Sequence, residues 1–176
     1  MLIVGVIVLV LFLLWFVSIS NKINNNLLSV EESKSTIEIA LIKRYETLTE
    51  SAKCAKEFAN HEFNLLMETT KARNGMSIAE LEQVNRNQNN ALSCLAALAE
   101  SYPVLKSNEL YVTVQKQLSD ENSWVASAKR LYNSNVRTYN SLVVNFPSSI
   151  VAILKGKRKL EFFKEDVTDK QTVSLF

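Results

Sequence analysis

The sequence contains little glycine, proline or histidine: three glycines, two prolines and one histidine among 176 residues. Because glycine and proline punctuate strands and turns, their scarcity predicts long helices with few connections. Three scattered glycines cannot build a phosphate-binding loop. The sole histidine, His61, excludes a HExxH zinc site, since Leu65 occupies the position of the second histidine. A di-iron bundle is excluded as well, because it needs repeated Glu-x-x-His pairs.

Cysteine is equally scarce, with only Cys54 and Cys94 in the chain. Both lie in apolar helical patterns, so buried free thiols are favoured over a single disulfide. A catalytic cysteine would need a nearby base and an oxyanion hole, and apolar surroundings favour an inert thiol. Glu57 and His61 share a helix face, which a surface pair explains more simply than a metal. We therefore predict that the protein is not an enzyme and holds no metal or cofactor.

What the sequence does contain is an uncharged apolar run from Leu2 to Val17, which Ser18 to Ser20 extend to the length of a membrane-spanning helix. Trp15 and Phe16 fall where an aromatic belt is expected. The run is longer than the core of a signal peptide and no basic residue precedes it, which favours a retained anchor over cleavage before Asn21. A buried core helix is the third interpretation, and it is disfavoured because such helices rarely lack a polar side.

The flanks of the run predict its orientation. Lys22 and Lys34 follow it, whereas only the α-amino group precedes it. By the positive-inside rule we expect the N-terminus outside and the rest of the chain in the cytoplasm. The net charge of +2, without a continuous basic face, argues against a nucleic-acid partner.

Beyond the run, apolar residues recur at steps of three or four from Ile37 to Thr70, which predicts one helix from about Asn21 to Arg73. Asn74-Gly75 is expected to end it, with Gly75 as the left-handed C′ residue. A capping box, Ser77 to Glu80, predicts the start of a second helix, which Tyr102-Pro103 ends. Its first half, residues 82–90, is polar, so only residues 91–99 are expected to enter the core.

A third long helix is predicted after Ser107, its expected N-cap. Its apolar stripe runs from Leu110 to Phe146 and includes two polar residues, Glu121 and Asn135. A buried Glu121 would need a partner such as Arg44 or Arg73. The alternative, a hydrated Glu121 at the rim of the stripe, is slightly favoured.

Phe146-Pro147-Ser148 should end the third helix, and a short helix over residues 149–154 should follow. Then comes a basic cluster, residues 155–159, near Phe162 and Phe163. Such a cluster could dock on anionic lipid. The first helix, however, would lead about 80 Å from the membrane, the second would return about 37 Å and the third would run out again. We therefore expect the cluster at the far end, in a solvated tail.

These residues resemble the LemA family of bacterial membrane proteins over about residues 21–163. The resemblance is most specific in the third helix and its flanks, at Ala99 to Pro103, Leu118, Glu121-Asn122, Arg130, Tyr132-Asn133, Val136, Tyr139-Asn140, Phe146 to Ser148 and Phe162-Phe163. It implies a single-pass inner-membrane protein with an antiparallel helical bundle and no established catalytic activity.

The fold expected from periodicity is all-α: a transmembrane anchor over residues 1–20, an elongated antiparallel bundle of three long helices and one short helix over 21–154, and a basic tail over 155–176. Candidate structural or interaction residues are Arg73, Glu121, Arg130, Tyr132, Asn133, Tyr139 and Asn140. Hydrogen bonding between helices is favoured over a ligand site as their role.

Two functions fit this pattern. The leading hypothesis is a non-catalytic scaffold or adaptor, anchored in the membrane, that binds protein partners or itself through its helix faces. The alternative is a membrane-tethered sensor that binds a small ligand within the bundle, at a site lined by Tyr132, Tyr139 and Glu121. The sequence names no physiological process, partner or ligand.

Overall fold

The structure of the protein, a computed structural model, describes residues 1–55 and 66–164, without the side chain of Lys106. Regular structure in these ranges is entirely helical, which confirms the all-α prediction. The helices are α1 (Leu2–Cys54), α2 (Ile78–Ser101), α3 (Pro103–Lys106), α4 (Glu109–Val144) and α5 (Ser148–Leu154). Residues 66–68 are also helical. The division of the chain into anchor, bundle and tail stays a prediction.

Helix α1 includes the whole apolar run and is long and apolar enough to cross a membrane. None of its most apolar 18-residue window is buried, so a core helix is the wrong interpretation of the run. Burial begins at Trp15 and Phe16, which are half-buried, and Ile23 is completely buried. The buried face of α1 therefore begins near the end of the apolar run.

The chain folds into two compact units. The first unit comprises Met1–Ser33 and Leu131–Phe162, and the second comprises Lys34–Arg130 and Phe163–Phe176. In the first unit, Asn135 Nδ2 donates to the Ser29 carbonyl oxygen at 3.0 Å, and Lys155 Nζ donates to Ser20 Oγ. Lys155 lies after Asn135 in the chain and contacts a residue of α1 that lies before Ser29, so α4 runs antiparallel to α1.

The core of the second unit joins side chains of α1, α2 and α4. Its buried members are Leu48, Ala55, Ala91, Leu92, Leu95, Ala99, Leu105, Tyr111, Val114 and Leu118. The Tyr111 hydroxyl donates to the Leu95 carbonyl oxygen at 3.3 Å, and burial raises the pKa of that phenol. Burial of these apolar side chains is the main force that holds the three helices together.

The prediction of one helix from Asn21 to Arg73 is wrong. Gln88 Nε2 donates to the carbonyl oxygens of both Leu41 and Thr70, at 3.0 and 2.8 Å. An uninterrupted helix would hold those two carbonyls about 44 Å apart. The chain has therefore doubled back by Thr70, and residues 71–73 are not helical. The stretch between, residues 56–65, with Glu57 and His61, lies outside the described residues.

Gly75 has the predicted left-handed conformation, with φ +79°, but in a turn before α2 rather than directly after a helix. The Gly75 amide donates to Glu38 Oε2 at 3.3 Å. We expect Gly75→Ala to lower the free energy of unfolding by about 1–2 kcal/mol, because a Cβ is strained at this φ. Urea unfolding of the two proteins in detergent measures the loss. Gly75→Asn is the control and should lose less, since Asn tolerates this conformation.

The ends of the other helices confirm some predictions and correct others. Ser77 Oγ accepts from the Glu80 amide at 3.3 Å and Glu80 Oε2 accepts from the Ser77 amide at 2.7 Å, which confirms the capping box. The N-cap of α4 is Asn108, not Ser107: its Oδ1 accepts from the Leu110 amide at 2.9 Å. Amide and hydroxyl oxygens cap equally well, so composition could not choose between the two neighbours.

The predicted stripe on α4 is buried or half-buried from Val114 to Leu142 but wrong at its ends, where Leu110 and Phe146 are exposed. The break at Phe146-Pro147 is confirmed, since α4 ends at Val144 and α5 starts at Ser148. Both cysteines are free, as predicted, but Cys94 is exposed rather than buried. It lies between Leu92 and Leu95, whose side chains α2 turns toward the core.

Part of the expected solvated tail, at Leu160, Glu161, Phe163 and Lys164, contacts the helices, whereas Arg158 and Lys159 are exposed. In the first unit the main chain of Leu160 and Glu161 is hydrogen-bonded by side chains of α4. In the second unit Phe163 is 2% exposed, with Lys129 Nζ 5.7 Å from its ring centroid, and the Lys164 amide donates to Glu82 Oε1 at 2.8 Å. Residues 165–176 lie outside the described residues.

Candidate functional site

A buried arginine, Arg44 of α1, lies among amide side chains in the second unit and is 2% exposed. Its Nε donates to Gln88 Oε1 at 2.6 Å, and its Nη2 donates to Asn85 Oδ1 at 3.1 Å. Its Nη1 donates to Asn89 Oδ1 at 3.2 Å and to Asn122 Oδ1 at 3.1 Å. The planar guanidinium with its five N–H groups suits such a divergent set of acceptors, as an ammonium would not.

Gln88 extends this polar cluster to the main chain. Its carbonyl oxygen accepts from Arg44, while its amide nitrogen donates to the Leu41 and Thr70 carbonyl oxygens. One side chain thus joins α1, α2 and the segment before Gly75. Because an unpaired buried polar group costs about 1–3 kcal/mol, these bonds fix the register of the three segments.

Glu121 of α4 is the acidic member of the cluster and is 3% exposed, so the interpretation of a hydrated rim position is wrong. Its Oε1 accepts from Thr47 Oγ1 at 2.8 Å and from Gln117 Nε2 at 3.4 Å. Its Oε2 is buried and has no hydrogen-bond partner in the described part of the chain. Desolvation raises the pKa of the Glu121 carboxyl, although those two hydrogen bonds and the positive charges of Lys43 and Arg44 oppose the shift.

The hydrogen bonds of the cluster join α1, α2 and α4. Arg44 and Glu121 are both buried. No three His, Cys, Asp or Glu side chains in residues 1–55 and 66–164 come together as a metal site would require. What remains chemically distinctive is the raised pKa of Glu121 and its unpaired oxygen.

Two predicted residues of the first unit, Tyr132 and Asn140, hold the C-terminal segment. The Tyr132 hydroxyl donates to the Glu161 carbonyl oxygen at 3.0 Å. Asn140 Nδ2 donates to the Leu160 carbonyl oxygen at 2.9 Å, and its Oδ1 accepts from the Leu160 amide at 2.8 Å. Tyr139 is buried, which raises the pKa of its phenol, and Asn133 is half-buried. Asn140 of α4 thus bonds to both main-chain groups of Leu160, as a neighbouring β-strand would.

Asn140→Ala should free this segment. Both hydrogen bonds to Leu160 are lost, and we expect the free energy of unfolding to fall by about 1–2 kcal/mol. Hydrogen exchange at the Leu160 amide, which should become faster, is the local measurement. Thr138→Ala is the control, because that exposed side chain bonds only to Ser134 of its own helix. Equal exchange at Leu160 in both variants would mean that Asn140 does not hold the segment.

The remaining predicted residues are exposed. Arg73 forms an ion pair with Glu80 at 3.6 Å rather than reaching Glu121. Hydrogen bonds from Ser77, with a smaller contribution from Arg73, lower the pKa of Glu80. Arg130 Nη2 donates to Ser127 Oγ at 3.0 Å on its own helix. The structure therefore places the candidate residues in three separate settings.

Sequence reasoning missed the amide side chains of α2. Its polar first half is buried, contrary to expectation, at Glu82, Asn85, Gln88 and Asn89. The available signal was their spacing, since Asn85 and Gln88 continue the steps of three and four that lead to Leu92, Leu95 and Ala99. Arg44 stands likewise between Leu41 and Leu48 on the stripe of α1.

Comparison with known proteins places this architecture in a family. The profile of the LemA family matches residues 33–175, most of the chain. The chain belongs to the LemA family. Within this LemA-family chain, residues 121–122 belong to the polar cluster, and Tyr132 and Asn140 hold the C-terminal segment. Four of the residues that carry the resemblance thus make hydrogen bonds between separate segments.

Two relatives are similar over 76 residues. Magnetosome protein MamQ of Magnetospirillum gryphiswaldense is 32% identical there, and Magnetosome protein MamQ 2 of Paramagnetospirillum magneticum is 30% identical. The similar stretch covers 43% of this chain and 28% of each relative. Together with the apolar α1, LemA membership makes this a membrane-associated helical protein.

Proposed function

We propose that the protein is a non-catalytic scaffold or adaptor, anchored in the bacterial inner membrane by α1, that binds protein partners or further copies of itself. One observation carries the proposal. Four large apolar side chains are exposed around the connection between α2 and α4, at Tyr102, Val104, Leu110 and Val112. Large apolar side chains that stay exposed outside the apolar run are candidates for contact with another protein. The buried polar cluster, in contrast, presents no surface to a partner protein.

Site-specific photo-cross-linking in intact membranes tests this proposal. A photoreactive side chain at Val104 or Val112 should form adducts of defined mass, whereas one at Ser123, an exposed polar position on α4, should not. Mass spectrometry of the adduct distinguishes a second copy from another protein. If the chain stays an uncross-linked monomer at all three positions, the scaffold proposal is wrong.

The proposed orientation has the N-terminus outside and the remainder of the chain in the cytoplasm. Cys94 makes a direct test possible because its side chain is exposed. In a Cys54→Ser background, a membrane-impermeant maleimide added to spheroplasts should leave Cys94 unlabelled until the membrane is permeabilised. Labelling of intact spheroplasts would place this cysteine on the outside.

The second candidate function is a sensor that binds a small ligand in the bundle. The unpaired Glu121 Oε2 favours it, because a ligand that donates a hydrogen bond would satisfy this buried oxygen. Native mass spectrometry of protein purified from membranes should then detect a bound compound that Glu121→Gln loses. Wild-type protein that carries no additional mass would remove the support for a resident ligand.

A further inference from the structure

Four exposed apolar side chains lie at the end of the first unit where α4 gives way to α5. Phe146 is 82% exposed, Ile153 75% and Leu154 71%, and Ile150 is also exposed. We call these four residues the apolar tip. Ile150, Ile153 and Leu154 are spaced by three and four residues, so they share one face of α5. The opposite face, with Val151 and Ala152, is buried in the unit. Helix α5 is therefore apolar on its outer face as well as on its inner face.

Two contacts place the apolar tip beside the end of the apolar run of α1. Asn135 of α4 bonds to the Ser29 carbonyl oxygen. Val144 lies nine residues after Asn135, and Ser20 lies nine residues before Ser29. Because the helices are antiparallel and each residue rises about 1.5 Å, Val144 comes level with Ser20. The hydrogen bond from Lys155 to Ser20 gives the same placement independently.

Counted from the N-terminus, Ser20 is also the first buried residue of α1. The side chains of residues 2–14 are exposed, Trp15 and Phe16 are half-buried, and Ser20 is buried. If the bare part of α1 spans a bilayer, its exit from the hydrocarbon lies in this stretch, with the two aromatic rings in the interfacial belt. The apolar tip then faces that interface rather than bulk water.

A basic cluster follows the tip directly. Lys155, Lys157, Arg158 and Lys159 are consecutive except for Gly156, and all but the half-buried Lys157 are exposed. Cationic side chains beside an apolar surface at the membrane boundary complement anionic phospholipid headgroups. The sequence alone had placed this cluster at the far end of the bundle, because it did not reveal that α4 returns along α1.

We propose that the apolar tip inserts into the leaflet from which α1 emerges, while the basic cluster binds anionic phospholipid headgroups there. The protein then has two contacts with one bilayer, a span and an interfacial wedge. This inference rests on the proposed anchoring by α1. The wedge restrains the first unit against the membrane surface, since a second attachment point limits rotation about the span.

Depth-dependent fluorescence quenching of the full-length protein tests the wedge. In a Cys54→Ala/Cys94→Ala background, an environment-sensitive fluorophore is attached at Ile153→Cys, Leu131→Cys or Val10→Cys. Leu131 is the matched control, an exposed apolar residue of α4 in the same unit. In vesicles of phosphatidylcholine and phosphatidylglycerol with spin-labelled acyl chains, we expect quenching at residue 153 to be several-fold stronger than at residue 131. Quenching at Val10 reports the span itself.

The outcomes separate the wedge from the anchor. Quenching at Val10, with residue 153 quenched no more than residue 131, overturns the wedge and leaves the anchor intact. Equal, strong quenching at residues 131 and 153 also overturns it, since α4 would then lie flat on the lipid. Absence of quenching at Val10 defeats the anchor and the wedge together.

A separate comparison of variants tests whether the basic cluster binds anionic lipid. Replacing Lys157, Arg158 and Lys159 by Gln should reduce quenching at residue 153 in phosphatidylglycerol vesicles to the level seen in pure phosphatidylcholine. Neutralising three exposed lysines elsewhere, Lys53, Lys71 and Lys116, should leave it unchanged. The same loss in both triple variants would mean that net charge, not the basic cluster, attracts the lipid, and would overturn that half of the proposal.

Discussion

Arg44→Met should lower the free energy of unfolding by about 3–5 kcal/mol. Methionine approximates the length of the aliphatic stem of arginine but has no N–H group, so the buried amide oxygens that now accept from Arg44 lose this donor. Those oxygens belong to Asn85, Gln88, Asn89 and Asn122. Each unpaired buried group costs about 1–3 kcal/mol, and partial rearrangement keeps the total below the simple sum. Urea unfolding of purified protein in detergent, followed by circular dichroism, measures the change.

The neighbouring residue supplies the control for this prediction. Lys43 is exposed and lies with its Nζ 5.6 Å from the ring centroid of Trp124. Lys43→Met removes the same charge one position away, and we expect a loss of no more than about 1 kcal/mol. Arg44→Lys keeps the charge but not the planar donor group, so it should behave more like Arg44→Met. Similar stabilities for Lys43→Met and Arg44→Met would show that the polar cluster contributes nothing particular.

Helical periodicity predicted the type and approximate extent of α2 and α4, because their local signals and their packing agree. It failed where the chain reverses. Leu48, Ala55 and Thr70 keep a helical spacing, and neither glycine nor proline intervenes. When the segments before and after a chain reversal face the same core, the apolar residues of both can keep a helical spacing. The spacing therefore does not reveal the reversal. Tertiary contacts, such as those of Gln88 with Leu41 and Thr70, reveal it.

The polar cluster escaped prediction for a different reason. A core is predicted from patterns of apolar residues because moving apolar side chains out of water is favourable. Moving an amide side chain out of water is unfavourable, so a position with an amide is predicted to be exposed. Asn85, Gln88 and Asn89 are buried here with Arg44 donating a hydrogen bond to each amide oxygen. Which residue would be their partner depends on the pairing of α1 with α2, and this is a tertiary property.

The C-terminal segment shows the same limitation at the level of the main chain. Residues 155–164 are basic and polar in composition, which is typical of a solvated tail. Asn140 nevertheless holds both main-chain groups of Leu160. Every residue but proline offers these two groups, so no side-chain pattern distinguishes a segment that a distant asparagine will bind. The resemblance to LemA proteins covered Asn140 and Phe163 but did not specify their partners.

Glu121→Met should raise the free energy of unfolding at pH 7 by about 1–3 kcal/mol, although it removes a buried charge near Arg44. Desolvation is the largest influence on this carboxyl, and Oε2 has no hydrogen-bond partner in the described residues. The donors that lose Glu121 keep other acceptors. The Thr47 hydroxyl can donate instead to the Lys43 carbonyl oxygen, which lies 3.4 Å from Oγ1, and Gln117 Nε2 donates to Thr47 Oγ1 at 3.3 Å.

The pH dependence distinguishes the charge of Glu121 from its shape. Because folding raises the pKa of this carboxyl above its ordinary value of 4.5, the folded chain binds the proton more tightly than the unfolded chain. Wild-type stability relative to Glu121→Gln, which keeps the shape without the charge, is therefore greatest below the ordinary pKa. It should fall as pH rises from 4.5 through the raised value and then level off. Unfolding of the two proteins from pH 4 to pH 8 measures this difference. If wild type instead gains on Glu121→Gln as pH rises, the ionised carboxylate stabilises the fold through Arg44 and Lys43, and the prediction for Glu121→Met is wrong too.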